Sequence, residues 1–68
     1  MRKVVPAALV QSLVGLEESK AKEKLAAQNF KCRVISYDRK PLVVTADIRS
    51  DRVELVIEDG NVVAAKVG

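Results

Sequence analysis

Between the strand-like run FKCRVISY (residues 30–37) and the alternating run RVELVIE (52–58) lies a stretch with no helix signal in it, DRKPLVVTADIRSD. Val53, Leu55 and Ile57 alternate with Glu54, Val56 and Glu58, so one face of the second run is apolar and the other mostly not. If the two runs pair side by side and parallel, they need a crossover of about a dozen residues or more, usually a helix. No helix is available here, so the crossover is expected to be an extended loop. It carries Pro41, exposed Val and Ile, and several charges, with no Gly or Asn to tighten it into a turn. Long connections without secondary structure tend to be functional in compact domains.

The rest of the chain supplies the frame. Acidic Glu17 and Glu18 open a helix after Gly15, where the dipole favours negative charge, and Lys20, Lys22 and Lys24 follow. Strong helix formers fill ESKAKEKLAAQ, Ala21 and Leu25 make an i, i+4 stripe, and Asn29 ends the helix. EDGN (58–61) predicts a tight hairpin, because Asp-Gly and Gly-Asn accept positive φ. NVVAAKV returns as the last strand. DRKP is expected to break the first strand. Residues 1–12 read as a loose N-terminal arm that touches the core through Leu9 or Val10. The expected fold is therefore α+β: one helix packed on a small sheet in a single domain spanning 1–68, and, if the two runs pair parallel, a mixed sheet with a long extended loop between two parallel strands.

Composition narrows the function. The chain has 68 residues, and a domain of this size buries only about 60% of its unfolded surface, which leaves little room for an enclosed active site. It has no His, which removes His-based nucleophilic catalysis and the commonest metal ligand. The single Cys32 makes an internal disulfide impossible and reads as a small apolar residue. Glu17, Glu18 and Glu23 sit beside lysines and read as surface charge, and no pocket is implied around Asp47 and Asp51. An enzyme is not expected, and no cofactor or metal is implied. Net charge is +3, but the basic residues are scattered and the aromatics are only Phe30 and Tyr37, unlike a nucleic-acid reader. The apolar run in MRKVVPAALV is too short to span a bilayer and gives no clear signal peptide. The compartment stays open between cytoplasmic and exported.

LVG-LEESKAKEKL, then VVTADIRSDRVELVI, then a final KVG resembles the potato inhibitor I family of serine-protease inhibitors. The most specific parts are Val44-Thr45, Arg49, Asp51-Arg52-Val53, Leu55 and Val67-Gly68. The resemblance implies a reactive-site loop of Val43, Val44, Thr45, Ala46, Asp47, Ile48 and Arg49, with the scissile bond between Ala46 and Asp47. Ala46 in the primary pocket implies a subtilisin- or elastase-like protease as partner, bound by a monomer. Arg52 matches the first of two arginines that brace the loop from the following strand in that family. Glu54 stands where the second is expected, Pro41 where the family has Gly, and Val10 where it has Trp. On the residues alone, Arg49, Asp51 and Arg52 also fit a solvated charged turn. A non-inhibitory interaction module with the same fold is an alternative. So is a PASTA-like cell-wall-binding module, which LVGLEESKAKEKLAAQNFKCRVI resembles at its opening but which has no counterpart between Tyr37 and Asp59.

Overall fold

The structure is a computed structural model that describes residues 4–68. Helices α1 (Ala7–Leu13) and α2 (Glu18–Ala27) precede strands β1 (Lys31–Tyr37), β2 (Lys40–Pro41), β3 (Arg52–Glu58) and β4 (Asn61–Val67). The sheet runs in the order β2-β1-β3-β4. β1 and β3 are parallel neighbours, while β2 and β4 flank them antiparallel. This is the expected small α+β fold with a mixed sheet, with one helix more than the sequence suggested.

The apolar alternation in β3 sets the core. Val53, Leu55 and Ile57 are fully buried and meet Ala21 and Leu25 of α2, Leu9 and Leu13 of α1, and Val62 of β4. Cys32, Val34 and Phe30 pack against the rim of that cluster. The helices thus cover one sheet face, and the polar positions of β1 and β3, Arg33, Arg52 and Glu54 among them, belong to the other.

α2 ends as its sequence demands. Asn29 takes φ 61°, its N–H donates to Ala26 O at 3.0 Å, and Phe30 N donates to Leu25 O at 3.0 Å. This is a Schellman ending with asparagine in the left-handed position, and Phe30 supplies the apolar contact that accompanies it. The β3–β4 turn places Asp59 at φ 51° and Gly60 at φ 78°, the two positive φ values that a hairpin between right-twisted strands requires.

Two expectations are corrected. Residues 7–12 of the expected loose arm, with Leu13, form α1: Leu9 and Leu13, at i and i+4, are buried, and Val5 before the helix is 3% exposed. Val10 is only half-buried, and Met1–Lys3 lie outside the described residues. DRKP does not simply end β1. Asp38 (φ 49°) and Arg39 (φ 67°) make a two-residue hairpin that returns the chain as β2, with Tyr37 opposite Lys40 and Ser36 opposite Pro41. Asp tolerates this conformation better than most residues. Asp38 is held there, its N–H donating to Ile57 O at 2.8 Å and its Oδ1 accepting from Asp59 N at 2.9 Å. Pro41, with no N–H, suits the sheet edge. The crossover from β1 to β3 is therefore part hairpin. After β2, residues 42–51 of the crossover carry neither helix nor strand.

Candidate functional site

Segment 42–51 is pinned at both ends by main-chain bonds. Leu42 N donates to Ile35 O at 3.0 Å, at the point where the β1–β3 register shifts between Val34 and Ser36. A bulge of this kind re-aims backbone groups. At the other end Val5 N donates to Ser50 O at 3.1 Å, and Lys31 N donates to Asp51 O at 2.9 Å. The residues before α1 therefore hold the end of the segment.

The middle is held by side chains. Arg33 on β1 sends Nη1 to Thr45 O and Thr45 Oγ1, each at 3.1 Å, and to Asp47 Oδ1 at 3.3 Å. Its Nη2 reaches Asp47 O at 3.5 Å and Glu54 Oε2 at 2.8 Å. Arg52 on β3 donates from Nη2 to Asp47 O at 2.9 Å and from Nη1 to Asp47 Oδ2 at 3.2 Å. Its Nε donates to Gly68 O at 2.9 Å, and Gly68 N returns a bond to Arg52 O at 2.9 Å. The Thr45 hydroxyl donates to Asp47 Oδ1. Parallel pairing places Lys31 beside Arg52 and Arg33 beside Glu54, so both guanidiniums rise from one face of adjacent strands and converge on Asp47.

The electrostatics follow. The Thr45 hydroxyl, and after it the Arg52 guanidinium, hold the Asp47 carboxyl down at about 2, so it is ionised at neutral pH. The arginine side chains are sheltered, 17% exposed for Arg33 and 11% for Arg52, whereas Asp47 is half open to solvent.

Every residue assigned to the loop from the sequence falls on this one segment. Ala46 sits at a bend, exposed, and no hydrogen bond among the described residues reaches it. Its neighbours Thr45 and Asp47 are both tied down. Val43 and Ile48 are thrust fully into solvent at 104% and 89% exposure, and Val44 is partly shielded at 39%. Arg49 turns to Asp51 at 3.2 Å and takes no part in holding Asp47.

Arg52 was legible from the sequence; Arg33 was not. The place expected to lack a second arginine, because Glu54 stands there, is served by Arg33 from the neighbouring strand. The alternation Cys32, Arg33, Val34 put Arg33 on the polar face, which was the available signal. Among the described residues there is no group of acidic, His or Cys side chains able to hold a metal ion. No helix among them is long and apolar enough to cross a membrane. Comparison of the chain with protein-family models, with curated proteins and with solved structures found no match.

Proposed function

We propose that this chain inhibits a serine protease by presenting residues 43–49 as a substrate that is cut slowly and released poorly, in the manner of the potato inhibitor I family that its sequence resembles. The observation that carries this reading is the double tether around Ala46: Thr45 O is held by Arg33, and Asp47 O by Arg52, while Ala46 between them is free of the scaffold. A protease takes its substrate extended, through main-chain bonds and side-chain pockets. A segment already fixed in place loses little entropy on docking. After attack on the Ala46 carbonyl, the new amino end at Asp47 stays bound through its own carbonyl and carboxylate. It remains beside the acyl-enzyme, and religation competes with hydrolysis.

Ala46 fits a small or unselective primary pocket, which favours subtilisin- or elastase-like enzymes over trypsin-like ones. The protein acts as a ligand for an enzyme rather than as one. The test is titration of subtilisin and of an elastase with the purified chain, followed by mass spectrometry. Reversible, stoichiometric inhibition with slow cutting between Ala46 and Asp47 is expected. No inhibition of either enzyme at micromolar concentration would sink the proposal and favour a non-inhibitory module.

A further inference from the structure

Arg33 makes more contacts to segment 42–51 than any other side chain, yet a flexible arginine does not aim itself. Ordering such a side chain costs rotamer entropy. Its Nε is buried without a partner, a penalty that a strong pull on the two Nη groups must offset. The shortest of its bonds is the one to Glu54 Oε2, at 2.8 Å. That is a charge-assisted bond between two sheltered groups, since the Glu54 side chain is only 12% exposed.

Glu54 is itself fixed. It lies opposite Arg33 across β1 and β3 and opposite Lys66 across β3 and β4. Lys66 Nζ stands 3.9 Å from Glu54 Oε1. On the remaining side Gly68 leaves room for the carboxylate, since a Cβ there would collide with it. The charges Lys66, Glu54 and Arg33 thus alternate across three strands, and the line ends on Thr45 and Asp47, where Arg52 is the other cation.

We infer that Glu54 is a positioning residue. By fixing the Arg33 guanidinium it sets the geometry of Thr45 and Asp47 on either side of Ala46, and so the tightness with which the segment binds. The inference rests on the inhibitor reading for its consequence, but not for its geometry. It also implies that the polarity of the pair is exchangeable: an arginine at 54 and a glutamate at 33 keep the same bond in register and leave a guanidinium on the face below Asp47.

The test compares the full chain with Glu54→Gln, Arg33→Gln and the double substitution Arg33→Glu/Glu54→Arg. The protease-independent readout is the backbone 15N order parameter of Thr45, Ala46 and Asp47. Values near about 0.85 are expected in the unsubstituted chain, and a fall toward about 0.6 or below in both single variants, with recovery in the double. Inhibition of subtilisin should weaken about tenfold in Glu54→Gln, as loss of a charge-assisted bond implies, and return in the double. The thermal midpoint of Glu54→Gln should fall by only several degrees, leaving the chain folded at the temperature of the measurement, which separates aiming from folding. Unchanged order parameters in Glu54→Gln, with lowered ones in Arg33→Gln, overturn the inference and leave the inhibitor reading standing. If the parent chain inhibits nothing, the inhibitor reading falls and the order parameters still decide the role of Glu54. If the double variant does not fold, Glu54→Gln alone decides.

Discussion

Arg33 and Arg52 stand on neighbouring parallel strands and grip the two oxygens of one carboxylate, Arg33 Nη1 at 3.3 Å from Asp47 Oδ1 and Arg52 Nη1 at 3.2 Å from Oδ2. The parallel register of β1 and β3 sets Arg33 beside Glu54 and two residues on from the level of Arg52, so a side chain of each strand rises from one face within reach of the same residue of the crossover. The crossover is then fastened to the sheet by the strands it connects.

Ala46→Lys is expected to move preference toward trypsin with little change in stability. Ala46 is exposed and unbonded, and exposed substitutions usually act within about 0.5 kcal/mol. Inhibition constants against trypsin and subtilisin, together with a thermal melt, check this. No gain against trypsin in a folded variant would show that Ala46 does not occupy the primary pocket.

Leu13→Ala should cost about 2–5 kcal/mol, the range for deleting a large buried aliphatic side chain. Leu13 is fully buried, and α1 delivers it beneath the sheet. Urea denaturation measures the loss. A cost under about 0.5 kcal/mol would return residues 7–13 to the status of a peripheral arm.

α2, strand β3 and the β3–β4 hairpin were legible because each carries a local signal: Ala21 with Leu25, the alternation of Val53, Leu55 and Ile57, and Asp59-Gly60; the parallel run of β1 and β3 has no such signal and was expected only through the family resemblance. α1 was missed because seven residues show hardly two turns of period, and Leu9 or Val10 read equally well as the contact of a loose arm. β2 was missed because Asp38-Arg39 contains no glycine to announce the turn. Arg33 was missed for a different reason. Its partners Thr45 and Asp47 lie 12 and 14 residues away, and only the register of β1 against β3 brings them together. A tertiary bond of that kind leaves no periodic trace in the chain.

Asp47 gives the site a pH dependence with a definite sign. Its carboxyl is lowered from 3.8 to about 2 in the folded chain. The tether is therefore fully present above about pH 4 and is lost as pH falls through about 2. A side-chain 13C titration should report a midpoint near 2. Thr45→Val, which removes the hydroxyl that contributes most to the lowering, should raise that midpoint toward 3.8. A midpoint already near 3.8 in the parent chain would mean that the Thr45 and Arg52 bonds do not persist in solution.

Arg52→Ala separates a brace from a contact. It removes the bonds to Asp47 O and Oδ2 and the bond to Gly68 O, and leaves Arg33 as the single cation on Asp47. The stability loss should be modest, about 1–3 kcal/mol for charge-assisted bonds. The functional loss should be larger, because Asp47 would then leave the acyl-enzyme more readily and hydrolysis would outrun religation. The variant should become a substrate, cut between Ala46 and Asp47 faster than the parent by the same protease. Mass spectrometry of timed digests decides. A first cut elsewhere, such as after Arg39 or Lys40, would show that segment 42–51 merely joins two strands. So would a cutting rate that Arg52→Ala leaves unchanged.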